Sequence, residues 1–385
     1  AIYTTAGAAF IGLDKAEHSA LITNVQAIGK AVLSLALVSL GLGVSGAIIG
    51  HATSYLIAAL AGTAILIIML RKKSGEAKKE QPFSDDLKTL IRYGTPLYIT
   101  ALLTGLAPLY QNLMLATFST DADVGNYRAA INFATLLSVI SIPITSALLP
   151  AFSKLDSSTT QRIKIFFKLA NKYTTLVILP ITVLVITFSP EIVKITYGST
   201  FTSVAFYLSL YCLIYFLVGI GSLTLPSFYN GIGETKTTLK INLIYFISLI
   251  LLSPILTSLY NVFGLIVAFL IANTFGKCYG LYTAKRNFKM EFDTHSITMI
   301  YLTSALSSIP LLLLLRLTSL SGLTTLILGG FLYLFTYLTL ILLTRSVDAL
   351  ELQKATIVTQ KNQLLALLNR FRSGLHVGRY QRLDS

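Results

Sequence analysis

Four cations interrupt stretches of the chain that are otherwise nearly free of charge: Lys30, Arg128, Lys172 and Lys277. Lys30 lies ten residues into the apolar run 20–41, about 15 Å along a helix at roughly 1.5 Å per residue. Thr23, Gln26, Lys30 and Ser34 follow one another at intervals of three, four and four, so all four share a helix face. An ammonium at that depth costs at least about 2.5 kcal/mol in hydrocarbon. The stripe therefore predicts a wet cavity or a helix contact, because snorkelling would require the side chain to cover most of that depth. Arg128 opens the run 127–150, with Asn132 and Thr135 continuing its face, and reads as an anion contact or an interfacial anchor. Lys277 shares a face with Asn273 inside a Gly276–Gly280 close-packing pattern, near enough to the end of its run for snorkelling to compete with a binding role. Lys172 reads as an anchor.

None of the 16 acidic residues falls in the middle of an apolar run. Pumps driven by protons or sodium usually keep a membrane carboxylate for the coupling ion, and the sequence offers no obvious place for one. What it offers is fixed positive charge beside amides and hydroxyls, a combination suited to an anion with a sugar attached. Phosphate is the natural anion, since Lys supplies a point charge and Arg a bidentate fork for its oxygens. The candidate substrate-binding residues are Lys30, Arg128, Lys277, Gln26, Asn132 and Asn273. No catalytic residue, metal ligand or cofactor is implied.

The elements that must carry these residues are ten runs: 20–41, 44–70, 93–117, 127–150, 166–189, 203–225, 238–258, 261–284, 297–317 and 321–344. Of 385 residues, 54% are hydrophobic and only 12% charged, against roughly 25% charged in a soluble chain. A run of about 20 apolar residues crosses the roughly 30 Å of bilayer hydrocarbon as a helix, and backbone groups there must be satisfied within the segment. The expected fold class is all-α, a polytopic membrane helix bundle with ten transmembrane helices.

The net charge of +14 does not point to nucleic acid, because 24 of the 30 basic residues fall in loops at one end of these runs or in the tail. The intervening loops hold only Arg128, Lys194 and Arg316, all near run ends. The positive-inside rule then puts the loaded end and the C-terminal tail in the cytoplasm of a multi-pass cell-membrane protein. Cys212 and Cys278 lie inside runs and read as packing residues.

Residues 1–12 are apolar but too short to span and resemble the end of a helix whose start lies upstream. The organisation expected is a remnant of a first transmembrane lobe over 1–70, a cytoplasmic linker over 71–91, a six-helix lobe over 92–284, two additional helices over 285–344 and a tail over 345–385. The linker's end, from Ser84, is expected to be helical with Asp85 and Asp86 in its first turn. The tail shows apolar residues at roughly helical intervals, which fits an interfacial helix or a solvated segment. Pro96, Pro108, Pro143, Pro180, Pro254 and Pro310 interrupt runs and permit kinks.

Five strings have the order and spacing of one family: LGLGVSGAIIG at 40–50, IRYGTPLYITALL at 91–103, VGNYRAAINFATLLSVISIPITSALLPAFSKL at 124–155, FSPEIVKITYGSTF at 188–201 and NGIGETKTTLKINLI at 230–244. Together they resemble the polysaccharide-biosynthesis flippases of the multidrug/oligosaccharidyl-lipid/polysaccharide exporter superfamily. The likeness covers nearly the whole chain up to residue 344. The resemblance implies fourteen spans in the full fold, of which these ten are the fifth to the fourteenth. It also implies a lipid-linked oligosaccharide partner, moved to the outer leaflet by alternating access, with membrane lipids and glycan-assembly enzymes as further partners. Relatives of the lipid II type use cavity arginines for the pyrophosphate, and Arg128 lies on the corresponding span. Many relatives carry an acidic residue where Gln111 and Asn112 stand here, which argues against carboxylate-based coupling.

Two other readings compete. A cation-coupled multidrug exporter of the same fold would want an acidic cavity, and none is visible. A membrane glycosyltransferase or polymerase would need acid/base or metal-binding groups at a membrane face, whereas the outer loops are short and hold only Asp121, Asp123 and Glu191. A transporter rather than an enzyme is therefore expected.

Overall fold

The computed structural model describes residues 2–13, 15–73, 83–155, 160–198, 201–317 and 322–344. The tail 345–385 and the middle of the expected linker, 74–82, lie outside the described residues. Within them the chain is all helix and contains no strand. Twelve α-helices follow in order: α1 (Ile2–Gly12), α2 (Ala16–Leu37), α3 (Gly43–Lys73), α4 (Phe83–Phe118), α5 (Asp121–Ser153), α6 (Thr160–Thr187), α7 (Ser189–Tyr197), α8 (Thr202–Cys212), α9 (Thr224–Gly231), α10 (Thr235–Phe288), α11 (Thr294–Leu317) and α12 (Leu323–Leu343).

Eight stretches, rather than the ten expected, are long and apolar enough to cross a membrane. The difference arises at two places where neighbouring runs join without a polar loop. Between α2 and α3 the chain turns through a short π-helical piece, Val38–Leu42, with Gly41 at φ 90° and Gly43 at φ 51°, angles that glycine adopts at little cost. Inside the 54-residue α10, Tyr260 and Asn261 leave helical geometry, Asn261 at φ 50°. The halves on either side of each break lie against one another. A Cβ added to Gly50 would come within 2.5 Å of the Ser34 nitrogen, and one added to Gly276 within 2.7 Å of the Ile241 carbonyl. Gly46 and Gly50, like the Gly276–Gly280 pattern, are thus close-packing positions within two helical hairpins.

The chain divides into two compact units, Ala1–Ile91 and Arg92–Ser385. In the first, α1 packs on α2 and α3 through Ala6, Phe10 and Ile22. In the second, aromatic side chains fill one core, where Phe152, Phe167, Phe228 and Tyr229 are buried together. Here α11 and α12 pack on α6, and the Tyr337 hydroxyl donates to the Leu176 carbonyl at 2.9 Å.

Helix starts carry the acids. Asp85 and Asp86 lie in the first turn of α4, as expected for that segment, although the helix runs on without a break into the membrane stretch. Thr120 and Asp123 form a capping box at α5, satisfying donors that begin a helix unpaired. Large apolar side chains are exposed in rows. On α12, Phe331, Phe335, Leu338 and Leu342 are each more than half exposed, while Tyr333, Tyr337 and Ile341 on the same helix are buried. Water would not tolerate such a surface, and lipid would. Together with the eight apolar stretches it makes this a multi-pass membrane protein.

Candidate functional site

In the first unit the polar stripe of α2 divides. Gln26 donates from Nε2 to Ser54 Oγ at 3.3 Å, and Ser34 donates to the Ala47 carbonyl at 3.2 Å, so both face α3. Thr23 accepts from the Tyr3 hydroxyl at 3.1 Å and donates to the Ser19 carbonyl. Thr23 and Lys30 are both exposed, and Lys30 alone on this stripe has no partner among the described residues. Three of the four residues thus answer to the helix-contact reading; Lys30 does not.

On α5 the opposite faces differ sharply. Tyr127, Ala130, Ala134, Leu137 and Ser141 are buried, whereas Arg128, Asn132 and Thr135 are exposed one turn apart. The Thr135 hydroxyl donates to the Asn132 carbonyl at 2.6 Å, which leaves the Asn132 amide and the Arg128 guanidinium open. A row of this kind facing acyl chains would be costly, at about 2.5–3.5 kcal/mol for the charge alone near a helix centre.

Lys277 and Asn273 sit one turn apart on the second half of α10, both half-buried. Asn273 donates to the Phe269 carbonyl at 2.9 Å and lies beside the Tyr245 hydroxyl from the first half of the hairpin. The helix continues to Phe288, eleven residues past Lys277, so the ammonium sits about 16 Å from that helix end. Aromatic rings close the surroundings: Phe269 stacks on Tyr211 with centroids 5.0 Å apart and meets Tyr245 edge-on. No hydrogen bond or ion pair among the described residues links Lys277 to Arg128.

Two side chains gain roles that spacing did not signal. Tyr245 joins the Asn273–Lys277 face only because α10 folds back on itself. Gln111, 6% exposed, accepts from the Tyr127 hydroxyl at 3.2 Å, while Asn112 is exposed. The position expected to be acidic in relatives is thus a neutral, satisfied amide. Lys172, read as an interfacial anchor, is instead 3% exposed and lies 3.7 Å from Asp293. The loop before α11 brings in that carboxylate, and nothing near Lys172 in sequence announces it. All nine described acids lie at helix starts or in loops, and none lies within a helix interior.

Residues 2–156 match the family model described as polysaccharide biosynthesis protein. Over those residues the resemblance read from the sequence holds. The fold is similar to that of solved transporters: a structure titled lipid II flippase MurJ, in an inward closed conformation, superposes with a TM-score of 0.63 at 18% identity, covering 88% of this chain and 70% of that one. A MATE structure in the straight conformation gives 0.62 at 16% identity, covering 74% of this chain and 66% of that one. The Vibrio cholerae MATE transporter VcmN in the bent form gives 0.57 at 18% identity, covering 74% and 65%. No match is found among curated proteins. The chain therefore spans about two thirds of the length of the transporters whose fold it shares. Their titles describe a flippase and transporters, not enzymes.

Proposed function

We propose that the protein moves a lipid-linked oligosaccharide, carried on phosphate or pyrophosphate, from the cytoplasmic to the outer leaflet for cell-surface polysaccharide or glycoprotein synthesis. The observation that carries this reading is the charge pattern: Lys30, Arg128 and Lys277 stand within helices whose interiors hold no carboxylate among the described residues. Each unit so offers a phosphate cations of its own, with Asn132, Asn273 and Tyr245 as neutral hydrogen-bonding neighbours. Gln26, bonded to Ser54, supports the helix that presents Lys30. The family model over residues 2–156 supports the polysaccharide assignment.

On this reading each hairpin crosses the bilayer twice, for ten crossings in all. A single 54-residue helix would be about 80 Å long, far beyond the roughly 30 Å of hydrocarbon. The basic ends and the tail face the cytoplasm.

A second reading has a specific observation behind it, because MATE structures superpose nearly as well as the flippase does. Cationic substrates would be repelled by the same lysines, which favours the flippase. Proteoliposomes containing the full-length protein separate the two. Movement of a lipid-linked oligosaccharide to the opposite leaflet is expected, with no drug accumulation against an imposed sodium or proton gradient. Gradient-driven drug transport without glycolipid movement would overturn the proposal.

A further inference from the structure

At the basic end of the second unit, a cavity of ≈ 320 Å³ opens between α10, the start of α11 and the 3₁₀ segment Leu213–Ile220. Its volume is at the lower end of the roughly 300–1,000 Å³ typical of small-ligand pockets. Gly219 and Tyr301 shape its floor. A Cβ on Gly219 would lie 2.7 Å from the Tyr301 ring, so only glycine lets the ring lie flat there. The pair is pinned in place: the Gly219 nitrogen donates to the Tyr301 hydroxyl at 3.3 Å, that hydroxyl donates to the Phe216 carbonyl, and Asn171 donates to the Gly219 carbonyl at 2.9 Å. The cavity is therefore built on rigid backbone.

Its mouth is cationic. Lys285 is exposed at the rim, with its ammonium 5.6 Å from the centroid of the Phe292 ring and no carboxylate within ion-pair distance. Asp293, the next residue in that loop, is already engaged by Lys168 and Lys172. Glu291 is exposed in the same loop, against the further cations Arg286 and Lys289. The local balance remains positive.

Hydroxyls stand beside that charge. On α11, Thr303, Ser304 and Ser307 all donate to carbonyls of their own helix. Thr294 and Thr298, which line the mouth, are exposed and make no such bond. Beyond Thr298 the same helical row becomes wholly apolar: Leu302, Leu306 and Ile309 are each about half exposed. One helix face thus runs from free hydroxyls beside an unpaired lysine to a strip of bare hydrocarbon. That sequence of chemistry is the outline of a phospholipid.

We propose that this cavity is a binding site for an anionic phospholipid of the surrounding membrane, its phosphate held by Lys285, Thr294 and Thr298 and an acyl chain lying along Leu302, Leu306 and Ile309. The site is separate from the residues assigned to the transported substrate. A soluble anion would have no use for the apolar row, and a zwitterionic lipid would bring a second cation towards Lys285.

Native mass spectrometry of the full-length protein in detergent, with phosphatidylglycerol or phosphatidylcholine of identical acyl chains, tests the proposal. Retention of phosphatidylglycerol is expected to exceed that of phosphatidylcholine, and Lys285→Ala to lower it about fivefold, the equivalent of about 1 kcal/mol for one surface cation. Lys285→Arg should restore it. Arg286→Ala should change little, because that guanidinium bonds to the Tyr282 hydroxyl. Thr298→Trp, which fills the mouth while keeping the charge, should reduce retention as well. Equal retention of the two lipids, or equal loss in Lys285→Ala and Arg286→Ala, would overturn the site. Displacement of the lipid by millimolar inorganic phosphate would overturn it too, marking a bare anion site.

Discussion

The Lys172 ammonium, almost wholly buried on α6, lies 3.7 Å from Asp293 Oδ2 in the loop that leads into α11. The same carboxylate accepts from the Ser296 nitrogen at 3.1 Å through its other oxygen, so one side chain both caps α11 and neutralises a buried cation. It thereby fixes the final helix pair to the rest of its unit. Lys168, 3.8 Å away and 40% exposed, adds a weaker partner. Asp293→Asn keeps the cap and removes the carboxylate charge that faces Lys172. Removing one member of a buried pair typically costs about 3–5 kcal/mol. The thermal midpoint of the detergent-solubilised variant should fall clearly, and Lys172→Met added to Asp293→Asn should recover much of the loss. A midpoint unchanged in the single variant would show that the pair contributes nothing.

Asp293 also predicts a pH response. Burial pushes its carboxyl up, but the Ser296 hydrogen bonds and the two lysines outweigh that and hold it below the usual carboxylate value. A carboxyl that titrates lower in the folded protein stabilises it above the unfolded value near 3.9, and the contribution is lost as pH falls through the folded value. The midpoint should be insensitive to this group between about pH 5 and 8 and decline below about pH 4. Comparing wild type with Asp293→Asn isolates the effect, and parallel pH profiles would refute it.

The α10 hairpin depends on close approach. Gly276 faces the Ile241 carbonyl, and an added Cβ would lie 2.7 Å away, whereas Gly105 on α4 has nothing within 4 Å. Gly276→Ala should destabilise by about 1–3 kcal/mol, the usual cost of overpacking, while Gly105→Ala should be neutral or slightly stabilising, given the helix preference for alanine. Thermal melts of the two variants side by side provide the check.

Transport should respond to charge at Lys277 and Lys30. Lys277→Met in the intact protein removes the cation and keeps the side-chain length, so glycolipid movement in proteoliposomes should fall at least about tenfold, on the scale of a lost charge-assisted hydrogen bond. Lys277→Arg should retain most of it. Lys30→Ala should likewise lower transport with insertion unchanged. Full activity at equal expression for both neutral variants would return the two lysines to a structural role.

Some of this was legible in the residues themselves. The apolar runs, the absence of acids within them and the polar rows at 23–34 and 128–135 depend only on local composition and helical period, so they were readable without coordinates. The close-packing glycines at 276–280 were readable for the same reason, because small side chains at intervals of four mark a helix contact whichever helix supplies the other side. Pairings between distant segments were not readable. Lys172 looked like an anchor because its partner lies on a loop that only packing brings to α6. Tyr245 reaches Asn273 only because Tyr260 and Asn261 reverse the chain, and the loss of a polar loop at that reversal also merged two expected spans into one long helix. The cavity beside Lys285 needed three separate elements to meet around Gly219. Its floor is set by backbone distances that no periodicity in the chain encodes, so composition determined where this protein lives and tertiary contact decided what its charges can hold.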